Sequence, residues 1–132
     1  MLQRLDHVGV VVDNLDEAKR FLGEVLGLTL DRELDLPERG LKAAFYRCGE
    51  ADIEVIEVTD PEARKQRLPD GAKARIEHIA IQVDDLHKTL AALSAFGIRT
   101  TTAEPVMVGA NKNVWTQPDT CDGVQYQFIE KG

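Results

Sequence analysis

Four polar residues of this 132-residue chain stand at positions that the sequence uses twice: His7, Glu54, His78 and Gln127. The segment LDHVGVVVDNL, beginning at Leu5, aligns with IEHIAIQVDDL, beginning at Ile76, at an offset of 71. IEVIE, beginning at Ile53, aligns with YQFIE, beginning at Tyr126, at an offset of 73. His7 therefore matches His78, and Glu54 matches Gln127. Two imidazoles, a carboxylate and an amide oxygen are a ligand set for one divalent metal ion. Each of the four interrupts an apolar alternation, and a polar group set among apolar neighbours needs a partner; a metal satisfies several at once. The residues alone leave a second reading open, in which His7 and His78 are strand histidines held by ordinary hydrogen bonds and Glu54 lies at a wet edge.

The elements that must position these side chains follow from the repeat, a tandem duplication of about 60 residues. Residues 5–12 are β-branched and alternate, so His7, Gly9 and Val11 share one face of a strand and Val8, Val10 and Val12 the other. Asn14 with Glu17 reads as a helix N-cap and capping box, and Leu15, Ala18, Phe21, Leu22 and Val25 form one helical stripe that ends at Gly27. The second copy repeats this with Asp85 as cap, Leu86, Leu90 and Leu93 as stripe, and Gly97 as stop. Strands are expected over residues 28–31, 41–48 and 52–58, then over 99–102, 113–116 and 124–129. The pattern is β-α-β-β-β twice: an α+β fold of two modules, about 1–60 and 74–132, in a single domain. If the copies pack around a pseudo-twofold axis, the four polar residues project toward one concave surface. Residues 59–75 read as a connecting loop with one short helical turn. Their cluster Arg64, Lys65, Arg67, Lys73 and Arg75 is either a solvated face or a contact for an anionic substrate tail.

Composition narrows the partners. Net charge is −7, with 43% hydrophobic and 30% charged residues, a globular balance whose sign argues against nucleic acid or an anionic membrane surface. No apolar run approaches the roughly 20 residues of a membrane span. The start opens no signal peptide, so a cytoplasmic protein is expected. Cys48 and Cys121 lack CxxC spacing and read as structural, and His87 reads as an exposed helix residue. There is no phosphate-binding glycine loop, no GxSxG elbow and no Ser-His-Asp order.

With these residues in hand the chain resembles the vicinal oxygen chelate superfamily, the group of glyoxalase I, methylmalonyl-CoA epimerase, extradiol dioxygenases and bleomycin- or fosfomycin-resistance proteins. LDHVGVVVDNLDEAKRFLGEVLGL resembles its first strand and helix, IEHIAIQVDDL the second-half counterpart, and GVQYQFIE the closing strand. The epimerase-like pattern is the most similar, through the spacing His7…Glu54…His78…Gln127, Glu104-Pro105 with Gly109-Ala110, and Pro118 with Gly123-Val124. The resemblance implies paired βαβββ modules in a cupped mixed sheet with a metal in the cup, and a homodimer. This chain also departs from the pattern. Gln127 stands where such epimerases and glyoxalase I carry a glutamate. The stretch that usually carries His-Gly and His-Pro-Lys reads Asn111-Lys112-Asn113 and Gln117-Pro118-Asp119, so an aspartate replaces a lysine suited to a coenzyme A phosphate.

The chemistry then expected is proton transfer beside a metal-chelated carbonyl, by an isomerase, epimerase or lyase with Glu54 as base. Glu54 is the one carboxylate among the four, so a bound dication keeps one positive charge uncompensated and is the stronger Lewis acid. Epimerisation by two bases needs a second base that an amide cannot be. One-base isomerisation by Glu54, or a second base elsewhere in the chain, remains open. The metal set favours Co, Ni, Zn or Mn over Fe. Two rivals are an Fe(II) dioxygenase built on His7, His78 and Glu54, and a resistance protein that sequesters a small molecule without turnover.

Overall fold

The computed structural model describes residues 1–132. Its elements run β1 (Leu2–Val12), α1 (Leu15–Arg20), β2 (Thr29–Leu36), β3 (Leu41–Cys48), β4 (Ala51–Val58), α2 (Pro61–Arg67), β5 (Ala74–Val83), α3 (Leu86–Ala95), β6 (Val106–Val108), β7 (Asn111–Trp115) and β8 (Gln125–Glu130). No helix is long and apolar enough to cross a membrane. Contacts divide the chain into two compact units, His7–Glu77, and Met1–Asp6 together with His78–Gly132.

In the His7–Glu77 unit the strands are ordered β2-β3-β4-β1. β1 pairs in parallel with β4, and the remaining pairs are antiparallel. The alternation expected along β1 holds. Val10 and Val12 pack on Leu15, Leu22, Ala44, Tyr46 and Val55 beneath α1, whereas Val11 packs on the opposite side with Ala43, Ile56, Val58 and Leu68. Glu17 N–H donates to Asn14 Oδ1 at 3.0 Å, as the capping pattern predicts. The helix continues as a π-helical turn, Phe21–Val25, and stops where Gly27 adopts φ +72°, a conformation that favours glycine. β2 is longer than expected, reaching Leu36. Its charged, exposed residues suit an edge strand, where charge discourages further pairing.

The second unit orders its strands β5-β8-β7-β6, with β5 and β8 parallel. Its Met1–Asp6 segment is tied to the end of β5: Asp84 N–H donates to the Met1 carbonyl at 3.2 Å, and Arg4 to Gln82 Oε1 at 3.3 Å. Val83, Leu86, Val114 and Phe128 form its core under α3. Lys88 N–H donates to Asp85 Oδ1, and Gly97 at φ +78° ends the helix. The strand expected over residues 99–102 does not form. Only the bridge Thr100–Thr116 is made, and the edge strand is β6, Val106–Val108. Thr100 Oγ1 donates to the Thr102 carbonyl and Thr102 Oγ1 to the Glu104 carbonyl, at 2.8 and 2.7 Å. These β-branched side chains thus serve a local turn instead of a ladder.

Each unit anchors its helix in the same way. Leu15 N–H donates to Glu57 Oε1 at 2.9 Å, and Leu86 N–H donates to Glu130 Oε1 at 2.8 Å. Lys42 lies 3.5 Å from the other oxygen of Glu57, and Lys112 lies 3.5 Å from that of Glu130. A carboxylate at a helix N-terminus satisfies an orphan N–H and meets the positive end of the dipole.

The connecting segment contains α2, which Asp60 caps by accepting from Ala63 N–H at 2.9 Å. Its basic residues are matched to carboxylates. Arg64 bonds Asp13, Lys65 faces Glu62, Lys73 faces Glu17, and Arg67 and Arg75 converge on buried Glu77. Arg67 donates to both Glu77 oxygens, at 2.8 and 2.7 Å, which raises the guanidinium pKa above its already high ordinary value. These pairings support the solvated-face reading over an anion site.

Two stability outcomes follow. Glu57→Ala and Glu130→Ala should each cost about 1 kcal/mol, a Tm loss of about 4 °C by calorimetry at neutral pH. Arg67→Ala leaves Glu77 buried with weaker compensation and should cost about 2 kcal/mol in urea unfolding, whereas Lys65→Ala should change stability by less than about 0.5 kcal/mol.

Candidate metal centre

Within the His7–Glu77 unit, the parallel ladder sets His7 opposite Asp52 and Gly9 opposite Glu54. His7 and Glu54 therefore face the same way on adjacent strands, and glycine, the smallest residue, stands directly across from the carboxylate. His7 Nε2 lies 3.2 Å from Glu54 Oε1. Both residues are buried, at 3% and 8% exposure, so the wet-edge reading of Glu54 does not hold. Phe45 meets the His7 ring edge-on at 5.4 Å, and the Arg32 guanidinium lies over Phe45 at 4.1 Å.

The second unit repeats the register. β5 sets His78 opposite Gln125 and Ala80 opposite Gln127. Again a histidine precedes by two residues the small side chain that faces the duplicated glutamate or glutamine. His78 and Gln127 are buried. Gln127 Nε2 donates to Asn113 Oδ1 at 2.9 Å.

The correspondence extends into neighbouring strands. β3 sets Ala43 opposite Ile56 and Phe45 opposite Glu54, while β7 sets Asn113 opposite Ile129 and Trp115 opposite Gln127. Asn113 thus occupies the place of Ala43, and Trp115 that of Phe45. Sequence reasoning passed over Asn113, Phe45 and Arg32 as site residues. The signal that could have found the first two is a third match at an offset of 70, from Lys42-Ala43-Ala44-Phe45 to Lys112-Asn113-Val114-Trp115.

Within the His7–Glu77 unit, His7 and Glu54 bring an imidazole nitrogen and a carboxylate oxygen side by side. Donors about 2.1 Å from a common ion lie about 3.0 to 3.4 Å apart, depending on whether they meet at right angles or at tetrahedral corners. The 3.2 Å between His7 and Glu54 falls in that range. Two neutral imidazoles and a carboxylate also suit a divalent ion chemically, so the residues present fit the group that the fold implies. The other candidates stand apart. His87 and Cys48 are exposed, and the Cys121 thiol donates to the Val124 carbonyl at 3.0 Å in a turn.

A sequence model described as the Glyoxalase/Bleomycin resistance protein/Dioxygenase superfamily matches residues 6–115. Human mitochondrial methylmalonyl-CoA epimerase is 29% identical over 126 residues, covering 93% of this chain and 71% of that protein. Lactoylglutathione lyase of Haemophilus influenzae is 33% identical over 129 residues, covering 94% of this chain and 90% of that one. Among solved structures, Streptomyces coelicolor methylmalonyl-CoA epimerase superimposes with a TM-score of 0.88 at 21% identity, covering 100% of this chain and 99% of its own, and so speaks to the fold alone. A hypothetical protein from Bacillus halodurans superimposes with a TM-score of 0.85 at 30% identity, covering 98% and 94%. The chain has the vicinal oxygen chelate fold expected from its repeat, and it belongs to the Glyoxalase/Bleomycin resistance protein/Dioxygenase superfamily.

Proposed function

We propose that this protein is a metal-dependent isomerase, epimerase or lyase that moves a proton at a carbon next to a carbonyl. His7, Glu54, His78 and Gln127 would hold the divalent ion, and Glu54 would carry the proton. The observation that carries the reading is the buried pair His7 and Glu54, with Nε2 and Oε1 3.2 Å apart, in a register that His78 and Gln127 repeat in the second unit. The epimerase and lyase relatives support the same reaction class. When bound, a divalent ion polarises a coordinated carbonyl and stabilises the negative charge that develops on its oxygen, which acidifies the adjacent C–H.

The rest falls to the chain. His7 and His78 act as neutral imidazole donors. Glu54 offers two oxygens, so one serves as ligand while the carboxylate still accepts and returns a proton. Gln127 supplies an oxygen without a charge. Glu54 is then the single base of the quartet, an arrangement suited to a proton taken from and returned by one group. Phe45, edge-on to His7, keeps the imidazole on an apolar wall and out of water.

Protein purified without a histidine tag is expected to carry near-stoichiometric Co, Ni, Zn or Mn by mass spectrometry, and His7→Ala and Glu54→Ala are expected to lose it. In D2O, NMR should show protein-dependent exchange of the proton beside the carbonyl in methylmalonyl-CoA or in S-lactoylglutathione. Glu54→Gln should slow that exchange by about 10²- to 10⁴-fold. A metal-free protein that also refuses added Co, Ni, Zn and Mn would overturn the reading. Near-stoichiometric iron would turn it toward oxygen chemistry.

A further inference from the structure

Among the matched positions at which the two copies differ, one lies on the strand beside Glu54 and Gln127. On the strand beside Glu54 the first copy has Ala43, diagonal to it across the ladder, and on the strand beside Gln127 the second has Asn113 in the same diagonal place. Asn113 is 4% exposed and Gln127 7%, and the Gln127 amide nitrogen donates to Asn113 Oδ1 at 2.9 Å. Asn113 is itself oriented by the main chain, because its Nδ2 faces the carbonyls of Asn111 at 3.3 Å and Val106 at 3.5 Å. The polarity of this chain of hydrogen bonds is therefore set by the β6–β7 hairpin and passed outward to Gln127.

A glutamine amide is nearly symmetric in shape but not in chemistry. Its oxygen binds a cation, whereas its NH2 presents donors and repels one. A carboxylate has no such ambiguity, since either oxygen serves. We infer that Asn113 is a positioning residue: by accepting the Gln127 N–H, it holds the glutamine oxygen toward a divalent ion bound with His78. The inference rests on the metal reading above. It also accounts for the pairing of alanine with glutamate in one copy and asparagine with glutamine in the other, because only the amide needs an acceptor to fix which end points outward.

The test is a double-mutant cycle read by Co(II) alone, titrated into chelator-stripped protein and followed by calorimetry and the visible spectrum of the ion. Asn113→Ala should weaken Co(II) binding by about 10-fold or more and alter the spectrum. In a Gln127→Glu background the same Asn113→Ala change, which completes the alanine–glutamate combination of the first copy, should alter affinity by less than about 2-fold. Unchanged Co(II) binding in Asn113→Ala, or an equal loss in both backgrounds, would overturn the inference while leaving the metal reading intact. Failure of the parent protein to bind Co(II) would remove both. If Asn113→Ala does not fold, NMR of the parent decides. The Gln127 side-chain NH2 should be protected from solvent exchange and stay protected when Zn(II) is added, and exchange at the solvent rate would sink the proposal.

Discussion

The site depends on two parallel ladders, β1 on β4 and β5 on β8. Parallel pairing keeps residues of matching parity on one face, and in both ladders a histidine stands two residues before the small residue that faces the glutamate or glutamine. That register turns an imidazole and a glutamate or glutamine to the same face in each unit, and in the first it sets them 3.2 Å apart. Glycine in one copy and alanine in the other stand directly across from the glutamate and the glutamine. The neighbouring antiparallel strands then close the setting, with Phe45 against His7 and Asn113 against Gln127.

The opposite faces of the same strands hold the fold. Val55 and Phe128 pack under their helices, and Glu57 and Glu130 reach the helix N-termini. This division of labour explains where the copies have stayed alike and where they have diverged. The helix anchors and their lysines remain matched pairs, because each unit must satisfy its own helix end. Glu54 and Gln127 differ, and neither has a helix end to satisfy.

Much of this was legible in the sequence because it is local or repeated. The alternation of residues 5–12, the caps Asn14 and Asp85, and the stops Gly27 and Gly97 all follow from short-range pattern. The span of β3 was legible to the residue. What escaped depends on contacts between distant residues or on local competition. Residues 99–102 carry strand-forming types, yet Thr100 and Thr102 use their hydroxyls on nearby carbonyls and the edge strand forms later. The extent of β2 was hidden because an edge strand tolerates charge that a central one would not. Glu57 and Glu130 gave no sign of capping helices that begin 42 and 44 residues earlier in the chain. Asn113 gave no sign of its partner, because its hydrogen bond with Gln127 runs between neighbouring strands.

On β4 the donor Glu54 and the helix anchor Glu57 lie three residues apart, and on β8 Gln127 and Glu130 repeat the interval. An odd interval puts the two on opposite faces of the strand. A slip of one residue would turn the oxygen donor toward the helix and the anchor toward the site, stranding a buried carboxylate and an uncapped helix in one move. Each of these strands is thus proofread by the helix behind it, because a misaligned pairing forfeits the helix cap as well as the ladder.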